Sequence, residues 1–328
     1  MKSQQLRSGN FSQWEEKRGA GAPEGKSPLS AVIVDEVTKQ FDKLVAVSHL
    51  SLKVPEGSMY GLLGPNGAGK TTTIRMILNI IYPDKGDISI LGQHISEDVK
   101  DRIGYLPEER GLYTKMKVSD LLLFMAEIKG VPKGEAKRRA SYWLERLELA
   151  DRADKKVEEL SKGMQQKVQF IATVIHDPEL IIFDEPFMGL DPINTDLLKG
   201  IMVELKKRGK TIVLSTHLME EVERLCEHIC LINKGRKVLD GRLSEIKKRY
   251  GKNTVVLQFE GDGSFLHHSP LVKKMDDYGN YIELQLKEED SYPELLEMAT
   301  KSVKLRRFEV VEPSLRSIFI ERVKGGNG

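Results

Sequence analysis

The sequence predicts an α/β protein with a mainly parallel sheet, joined to a smaller α+β domain. Short apolar runs such as Met59–Leu63 and Leu180–Phe183 alternate with helical patterns over most of the chain. This alternation is typical of a parallel sheet covered by helices on both faces. The pattern changes near Leu243, because Thr254–Glu260 and Tyr281–Leu286 alternate apolar and polar residues as half-buried strands do. We therefore expect a second domain beyond this point.

Apolar periodicity and the residues that end each run predict the elements in order. The first domain is predicted to contain strands Ala31–Val34, Leu50–Val54 and Met59–Leu63, helix Thr71–Ile81, strand Asp87–Leu91, helices Val118–Lys129, Glu135–Leu149 and Ser161–His176, strand Leu180–Phe183, helix Asn194–Lys207, strand Thr211–Leu214 and helix Met219–Cys226. The neighbouring helical patterns that begin at Val118 and Glu135 predict a helical subdomain over about 105–168. Two further helices, Tyr292–Thr300 and Pro313–Val323, are predicted in the second domain.

The predicted division is a flexible extension at 1–30, a first domain at 31–243 and an α+β accessory domain at 244–328. The extension is rich in Gly, Ser, Pro and charged residues, which is typical of flexible segments. It has no apolar stretch of the kind that a secretory signal needs. A membrane-spanning helix needs about 18 apolar residues, whereas the richest apolar stretch is Leu121–Ala126. If the protein acts at a membrane, we expect another chain to supply the passage.

Composition argues against a nucleic-acid partner. The chain has 51 lysines and arginines against 49 acidic residues, so its formal net charge is only +2. A nucleic-acid binder more often has a strong basic excess or a basic stripe. The local basic run Lys133–Arg139 lies where a helix is predicted to begin, and we interpret it as a solvated helix face, with an anionic partner as the alternative.

The two cysteines, Cys226 and Cys230, flank His228. This spacing is compatible with a fragment of a metal site, but two more ligands at suitable spacing are missing. Cysteines are also common buried small hydrophobes, and we prefer that interpretation.

A glycine-rich loop lies between the strand Met59–Leu63 and the helix that follows it. The candidate nucleotide-binding residues here are Gly64, Pro65, Asn66, Gly67, Ala68, Gly69, Lys70, Thr71 and Thr72. In this strand–loop–helix context the spacing predicts a phosphate-binding loop. Glycines let backbone N–H groups curl around the β- and γ-phosphates, and the helix N-terminus adds a favourable dipole. Lys70 is expected to place a cation on the phosphate oxygens, and Thr71 to ligate Mg²⁺.

An apolar strand ends in the acid pair Asp184 and Glu185. The carboxyl edge of a parallel sheet is where ligands bind, so we expect both carboxylates at the site. Asp184 is expected to hold Mg²⁺ through water. Glu185 is expected to act as the general base for the attacking water.

With these motifs, the chain resembles an ABC transporter ATP-binding subunit, a P-loop NTPase, from Ala31 to about Gly241. Further segments stand in the order and spacing of that family: Phe41 before the phosphate loop, Ile103–Glu108 at the glutamine loop, Leu160–Gln165 at the signature sequence, Gly189–Asp191 after the acid pair, and Ser215–His217 at the histidine switch. The resemblance implies an ATPase that uses ATP and Mg²⁺. Its fold would combine a mainly parallel core sheet with an antiparallel β region and a helical subdomain.

The resemblance also implies a role for each remaining site residue. Phe41 would stack on adenine, and Asp191 would lie at the nucleotide site. Ser161 and Gly163 would face the γ-phosphate held by a second subunit, since a helix N-terminus there offers free N–H groups. His217 would contact the γ-phosphate and hold the attacking water. The predicted catalytic set is therefore Glu185, His217 and Lys70.

Two departures from the family pattern affect the site. Glu108 stands where the family usually has glutamine; its carboxylate can ligate Mg²⁺ but cannot donate a hydrogen bond. In the signature, Lys162 and Met164 replace the usual residues, whereas Ser161 and Gly163 are kept. We expect ATPase activity to be retained.

The C-terminal segment resembles the accessory domain of ABC-2 export subunits, including sodium-exporter-like ones, on the residues Val311–Ile320. There, Leu315, Ile318, Phe319 and Phe308 form an apolar set that we expect to close this domain's own core, with a partner surface as the alternative.

The resemblance implies an exporter subunit at the cytoplasmic face of the cell membrane. Its partners would be an integral-membrane permease and a second ATPase subunit, either a copy of itself or a homologue, paired head to tail around two ATP–Mg²⁺. The alternative is a soluble ABC ATPase that acts on a non-membrane partner. We prefer the first, because the chain has one cassette and no long heptad stretch.

Overall fold

The protein is described from a computed structural model, which covers residues 29–109, 111–250, 253–288 and 291–325. Most of the predicted flexible extension, residues 1–28, lies outside the described residues. The strands are β1 (Ser30–Phe41), β2 (Leu44–Pro55), β3 (Met59–Leu63), β4 (Lys85–Ile90), β5 (Ile103–Leu106), β6 (Leu180–Asp184), β7 (Thr211–Thr216), β8 (His228–Asn233), β9 (Arg236–Arg242), β10 (Thr254–Glu260), β11 (Val272–Asp277), β12 (Ile282–Leu286) and β13 (Lys304–Val311).

The α-helices connect these strands and form the helical part of the first domain. They are α1 (Lys70–Ile77), α2 (Glu97–Asp101), α3 (Val118–Glu127), α4 (Lys133–Arg146), α5 (Lys162–Val174), α6 (Pro192–Lys207), α7 (Met219–Leu225), α8 (Leu243–Arg249), α9 (Ser264–His267), α10 (Tyr292–Ser302) and α11 (Leu315–Gly325). Helix α1 ends earlier than the predicted Ile81. Asn79 has a left-handed backbone (φ 56°), which asparagine tolerates and which stops the helix.

The central sheet has six strands in the order β5-β6-β7-β3-β8-β9. Every neighbouring pair is parallel except β8 with β9. A separate antiparallel sheet has the order β2-β1-β4. The combination of a mainly parallel sheet, an antiparallel β region and helices confirms the predicted fold class.

Alternate residues of the central strands point into two apolar clusters, one on each face of the sheet. On β3, Met59 and Leu63 join the cluster that contains the helical subdomain. Tyr60 and Leu62 of the same strand join the cluster formed with the antiparallel sheet. All five residues of β3 are buried, because a strand covered on both faces has no solvent side. Because β3 is packed on both faces, its carboxyl end, where the phosphate-binding loop begins, is held in place.

The C-terminal residues form a four-stranded antiparallel sheet in the order β11-β12-β10-β13. It has its own apolar cluster, which includes Val255, Leu257 and Leu295. Phe308 packs against this cluster, as predicted.

The prediction for the other apolar residues of the C-terminal helix was wrong. Leu315 and Ile318 are buried in the first domain's cluster, and Phe319 packs against it. Helix α11 is held there because the backbone N–H of Leu315 donates to the carboxylate of Glu223 on α7. An apolar helix face is recognisable from sequence, but the domain that it covers is not.

None of the helices among the described residues is long and apolar enough to cross a membrane. Cys226 and Cys230 are both buried free thiols, and burial raises the pKa of each well above its usual range. Over the described ranges, no group of three or more His, Cys, Asp or Glu side chains could hold a metal ion.

Candidate nucleotide-binding site

The phosphate-binding loop is shaped by glycines with positive φ. Gly64, Gly67 and Gly69 have φ values of 154°, 76° and 105°. A Cβ at Gly64 would lie 2.2 Å from the carbonyl oxygen of Ile232, and one at Gly69 would lie 2.6 Å from that of Ala46. The loop is therefore pressed against β8 and β2 where no side chain fits. Gly67 is exposed and has nothing near its Cβ position, so backbone conformation alone favours glycine there.

Lys70 begins α1 and is 6% exposed. Its ammonium donates to two carbonyl oxygens of the loop, at 2.8 and 3.2 Å. Burial lowers the pKa of Lys70, and the nearby carboxylates of Glu185, Asp184 and Glu108 oppose this shift. The cation is thus held against the concave side of the loop by weak neutral acceptors, which an anionic phosphate can replace.

Asp184 ends β6 with no exposed surface. Its Oδ2 accepts a hydrogen bond of 3.0 Å from the Thr71 hydroxyl. Its Oδ1 is buried and has no hydrogen-bond partner among the described residues. Burial raises the pKa of Asp184. A buried carboxylate oxygen without a donor is costly, so this atom fits a metal-bound water, and the Thr71 hydroxyl fits the metal itself.

Glu185 is the most constrained residue of the site. Its backbone is left-handed (φ 48°), which is uncommon for a residue other than glycine. Its carboxylate accepts three hydrogen bonds: 2.9 Å from the Thr216 hydroxyl, 3.0 Å from the His217 backbone N–H, and 2.7 Å from His217 Nδ1. The strand register explains these contacts of Glu185 with Thr216 and His217, because the preceding residues Asp184 and Ser215 pair across β6 and β7. The sequence analysis included Thr216 in the segment Ser215–His217 at the histidine switch but gave it no role of its own.

The other predicted residues lie in different settings. Glu108 is exposed beyond the end of β5. Phe41 ends β1 with 44% of its surface exposed, and the Lys39 ammonium lies 5.6 Å from its ring centroid. In the part of the chain that the structure describes, no hydrogen bond joins Ser161 to the phosphate loop or the acid pair. An exposed ring and an exposed helix N-terminus are both accessible to a ligand.

Two of the predicted residues cap helices. The Ser161 hydroxyl accepts the Met164 N–H at 3.2 Å and caps α5. The Asp191 carboxylate accepts the Asn194 N–H at 3.0 Å and caps α6, and this hydrogen bonding lowers the pKa of Asp191. Asp191 therefore has a structural role that does not need a nucleotide.

Comparison with known proteins identifies the family. The family model described as "ABC transporter" matches residues 47–188. YhaQ of Bacillus subtilis, an ABC transporter ATP-binding protein, is 48% identical over 290 residues, which cover 88% of this chain and 97% of YhaQ. The chain belongs to the ABC transporter ATP-binding family. As an ABC ATPase, it binds and hydrolyses ATP, and it is the ATP-binding subunit of a transporter.

Further matches extend this assignment. Residues 241–323 of the ABC subunit match the C-terminal domain of DrrA1-3-like ATP-binding proteins. The Nod factor export ATP-binding protein I of Burkholderia pseudomallei is 40% identical over 216 residues, which cover 65% of this chain and 71% of that protein. The dimeric ATP-binding cassette MJ0796, bound to ADP and Pi, shares the fold with a TM-score of 0.60 at 24% identity, covering 65% of this chain and 98% of that one.

Proposed function

We propose that this ABC subunit powers an ABC-2-type exporter by pairing head to tail with a second ATP-binding subunit around two ATP–Mg²⁺. The observation that carries the catalytic part is Glu185, fixed by three hydrogen bonds at the sheet edge that also holds Lys70 and Asp184. Export is supported by the similarity to the Nod factor export ATP-binding protein.

In this proposal the loop residues 64–72 bind the nucleotide phosphates. The backbone N–H groups of the loop and the N-terminus of α1 attract the negative charge. Lys70 exchanges its two carbonyl partners for phosphate oxygens, which are stronger acceptors because they are charged. Phe41 stacks on the adenine, as the resemblance to the family implies, and its ring is exposed enough to receive the base.

Mg²⁺ would be held by the Thr71 hydroxyl and the Glu108 carboxylate and, through water, by Asp184. The bound ion would supply positive charge that neutralises charge developing on the phosphates. Asp184 Oδ1 is the atom that fits such a water, because it is buried without a donor. Thr71 is already oriented toward this position by its hydrogen bond to Asp184 Oδ2.

Glu185 takes a proton from the attacking water, and His217 positions that water and the γ-phosphate. The Nδ1–H of His217 donates to the Glu185 carboxylate at 2.7 Å, which leaves Nε2 for the phosphate; Nε2 donates to a phosphate oxygen when the imidazole carries its second proton. His217 keeps 49% of its side chain exposed, as a residue that meets an incoming ligand must. The Thr216 hydroxyl holds the second carboxylate oxygen and prevents rotation of the group.

The second half of each site comes from the partner subunit in this proposal. Ser161 and Gly163 lie at the N-terminus of the 13-residue helix α5, where free N–H groups face solvent. These groups would bind the γ-phosphate of the nucleotide held by the facing subunit. An integral-membrane permease would dock near Glu108, which places the protein on the cytoplasmic face of the membrane.

Mixed dimers test whether each site is shared. Ser161→Arg blocks the signature and Lys70→Ala removes the phosphate-loop cation, so each variant alone has no intact composite site. Mixing them creates one intact site per dimer, and we expect the mixture to trap labelled nucleotide where neither pure variant does. Equal trapping by mixed and pure samples would mean that each subunit's site is self-contained.

A further inference from the structure

Helix α5 contacts both segments that carry the site's carboxylates. Two polar residues of α5, Gln166 and Gln169, are each only 4% exposed, so they lie on the buried face of the helix. The Gln166 amide donates to the carbonyl of Pro186 at 3.0 Å, directly after Glu185. The Gln169 amide donates instead to the segment that carries Glu108. One helix therefore sets the spacing between these two segments.

Gln169 contacts the backbone on both sides of Glu108. Its Nε2 lies 3.2 Å from the carbonyl oxygen of Pro107 and 3.5 Å from that of Glu109. Its Oε1 is buried and has no partner among the described residues. The amide thus leaves its acceptor unsatisfied while its donor holds the loop, which is a costly arrangement for a group that served packing alone.

The neighbouring contacts of α5 extend this attachment along β5. One turn beyond Gln169, the Thr173 hydroxyl donates to the carbonyl of Tyr105 at 3.3 Å or that of Gln169 at 2.9 Å. A Cβ at Gly104 would lie 2.3 Å from the carbonyl oxygen of Thr173, so only glycine allows this approach of helix and strand. The chain that leads from β5 to Glu108 therefore contacts α5 at Gly104, Tyr105 and Pro107 in turn.

We infer that Gln169 is a positioning residue that fixes Glu108 relative to Asp184 and so sets the affinity of the site for a divalent metal ion. The inference rests on the proposed role of Glu108 as a metal ligand. Without the amide, the exposed carboxylate of Glu108 keeps its charge but loses its fixed distance from the buried acid.

The test replaces the Gln169 amide with a side chain of the same length. Gln169→Met keeps the unbranched shape and removes the donor. The matched control is Lys167→Met on the same helix, because Lys167 is also buried and its ammonium donates to the backbone carbonyl of Leu147 at 3.1 Å. Methionine again keeps the unbranched shape and removes the donor, and Leu147 follows α4, so the control reports general loosening of α5.

Metal affinity is measured in the full chain with Glu185→Gln, so that ATP is not consumed. The probe is Mn²⁺, titrated at saturating ATP and followed by electron paramagnetic resonance. We expect Gln169→Met to raise the Kd for Mn²⁺ about three- to tenfold, the loss of a buried hydrogen-bond pair, with ATP affinity in EDTA unchanged. Lys167→Met is expected to leave the Kd for Mn²⁺ within twofold. An equal shift in both variants would overturn the inference.

Glu108→Ala separates this inference from the proposed role on which it rests. Alone, it is expected to raise the Kd for Mn²⁺, and in its presence Gln169→Met is expected to add nothing. A shift with Glu108→Ala but none with Gln169→Met overturns the inference and leaves the proposed metal site intact. Additive shifts mean that Gln169 acts elsewhere and also overturn it. If Glu108→Ala leaves the Kd for Mn²⁺ unchanged, Glu108 is not a ligand of the metal ion, and the proposed metal site and the inference both fail.

Thermal unfolding shows whether Gln169→Met is folded. If it is not, Thr173→Val replaces it, because valine matches threonine in shape and removes the hydroxyl next to Tyr105. We expect a smaller shift in the same direction, and no shift in the Kd for Mn²⁺ with this folded variant would overturn the inference.

Discussion

The central sheet and the C-terminal sheet differ in the polar groups that they bury. At the carboxyl edge of the central sheet, Lys70, Asp184 and Glu185 are each at most 7% exposed. Among the described residues of the C-terminal sheet region, the buried polar ones are the neutral Thr254 and Ser269. Burying a charge is costly unless it is paired or serves a ligand. From this comparison we expect the ATP chemistry to lie in the first domain, with the second contributing structure and contacts.

Lys70→Ala tests this comparison with the largest expected effect. The variant loses the one cation of the phosphate loop, so we expect ATP affinity to fall on the order of 100-fold or more. Isothermal titration calorimetry with ATP–Mg²⁺ measures this. Lys301→Ala on the C-terminal domain is the control, because its ion pair with Glu297 is exposed. Unchanged affinity in Lys70→Ala would refute the assignment of the loop.

Glu185→Gln is expected to have the next largest effect. Glutamine keeps the shape of the side chain but cannot accept a proton, so hydrolysis should fall about 10²- to 10⁴-fold while ATP binding survives. An ATP-dependent dimer should then accumulate on size-exclusion chromatography with ATP–Mg²⁺. A strict monomer at saturating nucleotide would contradict the head-to-tail arrangement.

Removal of the C-terminal domain is expected to have a smaller effect on chemistry than either of these substitutions. A chain that ends at Lys248 should hydrolyse ATP within about tenfold of the full chain, because the site residues precede this point. A folded truncated chain without hydrolysis, checked by circular dichroism and steady-state ATPase assay, would show that the second domain completes the site.

The contact between α11 and the first domain can be tested separately from the chemistry. Leu315→Ala removes a buried side chain from the first domain's cluster, and we expect it to lower the free energy of unfolding by about 2–5 kcal/mol. ATP hydrolysis should remain within about twofold at a temperature where the variant is folded. Urea denaturation measures the first quantity. A loss of less than 1 kcal/mol would mean that this contact does not stabilise the first domain.

Sequence alone predicted the parts of the fold that rest on local pattern. The runs Met59–Leu63 and Leu180–Phe183 match β3 and nearly all of β6, because strands buried on both faces are continuous apolar runs. By contrast, Ala31–Val34 is only a third of β1, which extends to Phe41 through register shifts that disturb its alternation. The strands β5, β8, β9, β11 and β13 were not predicted at all.

The site was predicted residue by residue, but its internal contacts were not. The phosphate loop and the acid pair are contiguous motifs, whereas Thr216 reaches Glu185 across 31 positions through the register of two parallel strands. The amides of Gln166 and Gln169 were missed for a related reason. Polar residues on a core-facing helix stripe have no partner that the sequence can name, since the acceptors are backbone carbonyls far along the chain.

The left-handed backbone of Glu185 has a consequence for the rate of hydrolysis. A non-glycine residue in this conformation costs about 1–3 kcal/mol, and it persists here because three hydrogen bonds hold its carboxylate. The carboxylate cannot relax without leaving its donors, so its orientation is set when the chain folds. In the proposed role of Glu185 as the proton acceptor, the reorganisation that a free glutamate would undergo at each turnover is completed before ATP arrives, and the acceptor is preorganised.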